Sequence, residues 1–362
     1  MLFRQDGRAL LHLDREFPNL RKQMATPYQP YTDTSPTPVK WYRTPLDRQI
    51  LADLNTKSDA MGFLQALGYL GVLVLTFSLA FIATDHSPWW IVMVPIFLHG
   101  TVASFAINAV HELIHRSVFE TQWLNGLFVR IFSLISWVNF PFFYASHMRH
   151  HQYTLHPPDD QEVVLPIRLM PRHFFKTGFI NVKGLYDSLR VTLRYARGKF
   201  SGKWETTLFP SDQPGSGRSV ISWARIHLTC HVMILVVSLY QGWWILPVLT
   251  SLAPFYGSWL FFLCNNTQHI GLQDNVSDFR LCCRTFTLNP LVQFLYWHMN
   301  YHIEHHMYAA VPCYSLSKLH RAILHDLPPC PHGIQATWEE IAEIQKKQDE
   351  DPGYQFVAQL PG

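Results

Sequence analysis

Two stretches of the chain are apolar almost without interruption, and neither contains a Lys or Arg: Lys57 to Arg116, and Arg225 to Arg280. The first holds "MGFLQALGYLGVLVLTFSLAFIA" (61–83) and "PWWIVMVPIFLHGTVASFAINAV" (88–110), parted by Thr84 to Ser87. The second holds "IHLTCHVMILVVSLY" (226–240) and "WWILPVLTSLAPFYGSWLFFLC" (243–264), parted by Gln241 and Gly242. A helix needs roughly 20 apolar residues to cross a bilayer. The pattern therefore predicts four spans in two tight hairpins, the third short and carrying His227 and His231 near its start. Trp89, Trp90, Trp243 and Trp244 fall at the turns, where indole rings settle at the membrane boundary.

Between the hairpins the pattern is mixed. Residues 124–141, "LNGLFVRIFSLISWVNFP", are apolar apart from Arg130. A full crossing here would carry the next His-rich stretch to the far side, so the sequence predicts a re-entrant or interfacial helix. Residues 174–200 place Phe179, Val182, Leu185, Tyr186, Leu189 and Leu193 at helical spacing, among Lys183, Arg190, Arg194 and Arg197. That fits a helix lying on anionic headgroups, or an amphipathic helix packed on the polar part of the protein. The first 60 residues are polar and Pro-rich, with no apolar run after a basic start, which predicts no cleavable signal peptide.

Charge sets the orientation. The two turns hold no Lys or Arg, so the positive-inside rule puts both termini and the 111–225 region in the cytosol. The expected architecture is an all-α integral membrane protein: four transmembrane helices in two hairpins, and a cytosolic helical cap carrying a dimetal histidine site. Its parts are a polar arm (1–46), a membrane domain (47–325, with cap segments 111–225 and 265–325) and a polar tail (326–362). Composition agrees, since 15% charged residues against 14% aromatic ones is sparse in charge for a soluble protein. A net charge of +3 gives no reason to expect nucleic acid. The six Cys form no C-x-x-C and read as scattered reduced thiols.

The 20 His are the anomaly. "HELIH" (111–115) has the H-E-x-x-H spacing of a zinc protease, in which two His hold one metal and the Glu acts as base. Its surroundings argue otherwise. His111 and His115 leave the second span, "HMRHH" gives His147, His150 and His151, "NNTQH" gives His269 after the fourth span, and "HIEHH" gives His302, His305 and His306. All four groups fall on the cytosolic side, and a single tetrahedral zinc takes only three His plus water. Nine imidazoles suit two metals with four or five ligands each. Imidazole alone does not choose the metal; oxidation of unactivated lipid C–H bonds calls for redox iron.

With "HELIH", "HMRHH" and "HIEHH" in place, the chain resembles the membrane fatty-acid desaturase superfamily over roughly residues 60–325. "NYHIEHHMYAAVPCYSLSKLH" is similar to the end of its bacterial-type members. The resemblance implies two ferrous ions and an O2-dependent oxidation that introduces a double bond into a fatty acyl chain or related lipid. It also implies that "NNTQH" supplies the ninth His, with Asn265 reaching the metal through water. Glu112 is then expected to orient a ligand imidazole or to face the solvated side. "HELIH" followed by a basic residue is also similar to alkane hydroxylases, whose second box is one residue longer than "HMRHH". A diiron hydroxylase of an apolar substrate is the alternative, and an intramembrane zinc protease, which needs an acidic or His ligand on a later span, comes last. The chain offers no haem, iron–sulfur or nucleotide-binding motif, so electrons are expected from a separate ferredoxin or cytochrome b5 with its reductase. Lys and Arg at 172–203 would receive such a donor. Among the remaining His, His298, four residues before His302, is a candidate to brace a ligand imidazole, His156 with Asp159, Asp160 and Glu162 is expected to shape a loop, and His320 carries no signal.

Overall fold

The computed structural model describes residues 38–361, so most of the expected arm, with His12, lies outside the described residues. Those residues form helices and isolated bridges, with no extended strand among them. In chain order the helices that matter are α1 (Arg48–Leu54), α2 (Asp59–His86), α3 (Trp89–Ala103), α4 (Ala106–Ile114), α5 (Gln122–Ser136), α6 (Phe140–Tyr153), α7 (Pro171–Gly178), α8 (Val182–Ala196), α9 (Lys203–Leu208) and α10 (Arg218–Gln241). They continue with α11 (Ile245–Leu249), α12 (Trp259–Asn265), α13 (Phe279–Cys282), α14 (Pro290–Leu295), α15 (His302–Met307), α16 (Leu316–Ile323) and α17 (Gly333–Glu350).

The first hairpin forms much as its pattern requires. Ser58 caps α2 by accepting from the Met61 amide at 3.3 Å, and Ser87-Pro88 stops it and starts α3. With α4, α3 continues over 26 residues, against 28 for α2. At about 1.5 Å per residue both exceed the roughly 30 Å hydrocarbon layer. Thr121, just beyond α4, donates its hydroxyl to Asp59 at 2.5 Å, which brings the two open ends of the hairpin together. Only 22% of the most apolar window is buried in α2 and in α10, against 61% in α3–α4. The outer two therefore present an apolar wall (Leu64, Leu75, Leu79, Val236, Leu239) that water would not tolerate at this extent and lipid would.

The expected fourth span, 243–264, is not one helix. It runs as α11, a 3-10 turn (Ala253–Phe255) and α12. The cause is local chemistry: Pro247 and Pro254 remove amide donors, and Gly257 takes φ +69°. Gly257 is also pressed so close to α3 that an added Cβ would stand 2.6 Å from the Phe97 carbonyl oxygen. The broken segment is bound to α3 by His99, whose Nε2 donates to Leu249 O at 2.7 Å, and by Trp259, whose Nε1 donates to Thr101 Oγ1 at 3.2 Å.

α5 and α6 meet at 102°, turned by Trp137 (φ +58°) and restarted by Asn139, which caps the Phe142 amide. The rings of His115, before the pair, and His151, near its end, lie 4.7 Å apart. The sharp bend is that of a broken span or of a re-entrant segment. α8 is turned inside out. Its buried side carries Gly184, Ser188, Thr192 and Tyr195, while Val182, Tyr186 and Leu189 face outwards, beside Phe175 and Ile180. Both expectations hold in part, because α8 packs on α10 yet shows its apolar side. The expected tail contains α17, which packs back through Trp338 Nε1, a donor to Leu263 O at 2.9 Å, and through the Arg284–Glu340 pair at 2.9 Å.

Candidate metal centre

Each His box sits where a helix ends inside the main hydrophobic cluster. His111 belongs to α4 and His115 caps its C-terminus; His147, His150 and His151 lie on the last turns of α6; His302, His305 and His306 make up most of the short α15. His269 follows α12. The walls are apolar: Val110, Leu113, Phe143, Cys264, Met299 and Ile303 are all nearly or fully buried. All nine predicted His converge in this chamber. His111, His115, His147, His151 and His305 form one group able to hold a metal, and His269, Cys283, His302 and His306 form a second. His150 stands between them and the α6 backbone, its ring 5.2 Å from that of His269 and 5.0 Å from that of His306.

The ring nitrogens settle what the chamber fits. Nε2 atoms face one another at 3.2 Å (His115–His147), 2.9 Å (His147–His151), 3.1 Å (His151–His305), 2.9 Å (His269–His302) and 3.1 Å (His302–His306). Several of the opposite Nδ1 atoms are already donors. His147 Nδ1 donates to Glu162 at 2.8 Å, His150 Nδ1 to Asp160 at 2.8 Å, and His269 Nδ1 to the Cys282 carbonyl at 2.7 Å. The Thr154 hydroxyl, whose proton goes to His150 O at 2.7 Å, accepts from His306 Nδ1 at 3.3 Å. An imidazole that donates from Nδ1 keeps a lone pair on Nε2 when neutral. Inward-facing lone pairs about 3 Å apart repel each other unless a cation sits between them. Spacings near 3 Å are those of neighbouring ligands on one ion with metal–nitrogen bonds of about 2.0–2.1 Å. The donor set therefore fits two imidazole-bound metals.

Burial reinforces this by keeping most of the ligands neutral; at His150 it is outweighed by the charge and hydrogen bond of Asp160, which raise that imidazole. Desolvation, then the charge of His150, pushes His269 down to about 3. His302, His305 and His306 are likewise driven well below the usual range by burial and by one another. Burial pushes Glu162 up to about 7 against the pull of His150 and the Ser146 hydroxyl, which donates to it at 2.6 Å.

Glu112 faces the site and not solvent. It is fully buried, with Oε1 3.1 Å from His111 Nδ1 and 3.3 Å from His305 Nδ1, so it joins the first box to the third. Asp160 and Glu162, expected only to shape a loop, each orient one imidazole of the second box; a short loop after Tyr153 brings them back under α6. His320, which gave no signal, pairs with buried Glu304 between His302 and His305, and Glu304 also accepts from Thr285 at 2.5 Å. Cys283 was missed altogether, because its place at the second group depends on the fold around α13. Asn265 ends α12 four residues before His269 and is half-buried. His298 bonds to Gln293 at 3.1 Å and not to a ligand imidazole. His227 and His231 stand elsewhere, with the His231 ring stacked on Trp137 at 4.1 Å in the α5–α6 bend. All six Cys are unpaired, as their spacing suggested.

A cavity of about 100 Å³ is lined in part by α4 and α6, the helices that carry the first two boxes. Ile107, one turn before His111, and Phe142, next to the Phe143 that stacks on His147 at 5.2 Å, lie in its wall. Phe261 and Phe262 close one side, and the hydroxyls of Ser188 and Thr192 line another. Residues 88–338 match the family model described as fatty acid desaturase. No curated protein matches the chain.

Proposed function

Because the chain belongs to the fatty acid desaturase family, an oxidoreductase lineage acting on lipids in membranes, we propose that it is an O2-dependent diiron desaturase that introduces a double bond into an acyl chain or related lipid. The observation that carries this is the convergence of nine imidazoles, with Nε2 atoms facing inwards and Nδ1 atoms tied back, in an apolar chamber beside a cavity. His111, His115, His147, His151 and His305 would hold one iron, and His269, His302, His306 and His150 the other. Asn265 would contact the second through water. When bound, two irons supply O2 activation and the oxidising power to remove hydrogen from an sp3 carbon.

The rest is done by the chain. Glu112, Asp160 and Glu162 fix ring orientation and tautomer, so that lone pairs point inwards before metal arrives. The phenylalanines of the cavity hold an apolar chain by contact and keep water from the reacting carbon. Ser188 and Thr192 can satisfy one polar group of the substrate at the rim. Electrons come from a separate carrier, a ferredoxin or cytochrome b5. Both termini and the centre lie on the cytosolic side, with the turns at Thr84–Ser87 and Gln241–Gly242 outside.

Hydroxylation of an apolar substrate remains the second reading, since "HELIH" followed by Arg116 is similar to alkane hydroxylases. The test is to express the chain in a host, profile its lipids by mass spectrometry and measure bound metal. A desaturase gives a product two hydrogens lighter, whereas a hydroxylase adds one oxygen traceable to labelled O2. An iron-loaded chain that changes no lipid when donor is supplied would sink both readings. A chain fully active with one zinc alone would sink the diiron assignment.

A further inference from the structure

The diiron reading, on which this inference rests, requires electrons to reach a largely buried centre, in which only His115 and His151 are half-buried. Of its ligands, His269, His302, His305 and His306 are each 2% exposed or less. A surface ring nevertheless leads to it. Half-buried Trp41 stacks on Phe279, with ring centroids 4.1 Å apart and planes 11° from parallel. Phe279 is fully buried, and its ring lies 5.3 Å from that of His306. Trp41 Nε1 also donates to the Gln152 carbonyl at 2.9 Å, and Gln152 is joined through the backbone to His151. The rings of His151 and His306, one from each ligand group, stack at 4.3 Å. One indole at the surface therefore reaches one ligand group through a stacked pair of rings and a tilted one, and the other through a hydrogen bond and a short covalent path.

We propose that Trp41 and Phe279 form the electron entry to the centre, and that the surface around Trp41 is where an acidic one-electron carrier protein docks. The segment is held rigidly for that role. Tyr42 N donates to Ser277 O at 2.8 Å, Arg43 Nε to Met307 O at 2.6 Å, and Tyr308 OH to Thr44 O at 2.5 Å. A fixed surface loses little freedom when a partner binds. It presents three exposed cations, Lys40, Arg43 and Arg48, with Asp47 turned to the amides that begin α1. Asp278 and Asp326 are drawn off by Arg280, and Tyr42 OH donates to Asp326 at 2.8 Å. The basic 172–203 region expected to take this role instead exposes Phe175, Ile180, Val182 and Tyr186 on the same face, which suits headgroups better than an aqueous carrier. In each transfer the carrier loses one electron and the metal pair gains one, and Trp41 and Phe279 neither gain nor lose an atom. Two transfers supply the electrons that O2 reduction to two waters needs beyond the pair taken from substrate.

The experiment uses the iron-loaded full chain in nanodiscs. Under anaerobic conditions, the oxidised centre is mixed with reduced ferredoxin, reduced cytochrome b5 or dithionite, and its reduction is followed optically. Trp41→Ala and Phe279→Leu are expected to slow reduction by the carrier more than about tenfold, with iron content and dithionite reduction unchanged. Trp41→Phe, which keeps the stack and loses the bond to Gln152, should fall between. Lys40→Glu with Arg48→Glu should weaken carrier docking and flatten its salt dependence. If Trp41→Ala loses iron, Trp41→Leu, which fills the slot without a π face, decides by the same measure. A variant with normal iron that is reduced by the carrier at the unaltered rate overturns the entry path. A centre reduced by dithionite but by neither carrier overturns the docking surface. A chain that binds no iron strikes the proposed function itself.

Discussion

At the scale of single residues, what distinguishes the ligands is what holds them. The Nε2 lone pairs of the centre are aimed by groups that never touch a metal: Glu112 behind His111 and His305, Glu162 behind His147, and Asp160 behind His150. Loss of such a partner typically costs 10–100-fold in metal affinity. Asp160→Asn and Glu112→Gln should therefore retain iron less tightly, by about that factor in competition with a chelator. An unchanged affinity would reduce these carboxylates to packing. His302→Ala should leave the chain in the membrane, lower bound iron and abolish turnover. Acid should destabilise the metal-free chain. His269, held near 3, and His302, His305 and His306, held well below their usual value, refuse protons that the unfolded chain would take up near 6.5. Their contribution to stability is thus complete above about pH 6.5 and is lost as pH falls towards 3. Thermal unfolding of chelator-stripped protein between pH 7 and pH 4 checks this, and a melting temperature that rises on acidification would contradict it. The boxes were readable as spacings. Glu304 with His320, and Cys283, were not, because no local pattern links residues joined only through the fold.

At the scale of elements, long uninterrupted apolar runs became helices and interrupted ones did not. α2 and α10 follow hydrophobicity alone, each closed by a cap or a left-handed glycine. In 243–264 the composition was apolar enough for a span, but Pro247, Pro254 and Gly257 decided the backbone. Gly257 can be tested directly. A Cβ there would need φ +69° and would meet Phe97 O at 2.6 Å, so Gly257→Ala should destabilise by roughly 1–3 kcal/mol, seen as faster thermal inactivation in detergent. The inverted α8 suggests a second test, since its inward Ser188 and Thr192 line the cavity. Thr192→Trp should shorten the longest acyl chain accepted while leaving iron content intact. Product lengths identical to those of the parent would remove this cavity from the substrate path.

At the scale of the whole molecule, the proposed orientation makes a labelling prediction. An impermeant thiol reagent added outside cells should reach Asp85→Cys, in the exposed turn end of α2, and should miss Glu120→Cys, exposed beside the opposite end of that hairpin. External labelling of Glu120→Cys alone would reverse the topology.

By itself the sequence determined the helical membrane class, the family and the nine converging His. Each of these depends on period, charge or spacing within a few residues, which is where chain geometry is local. The tertiary structure alone decided that the proline-broken segment 243–264 is seated against α3, that α8 turns its apolar side outwards, and which carboxylates meet which imidazoles. It also decided that Trp41 lies over Phe279, 238 positions later in the chain. The physical reason is common to all four. A buried polar group must find a partner, and a close approach must find room, wherever the packed chain offers them; neither demand is written in the neighbouring residues.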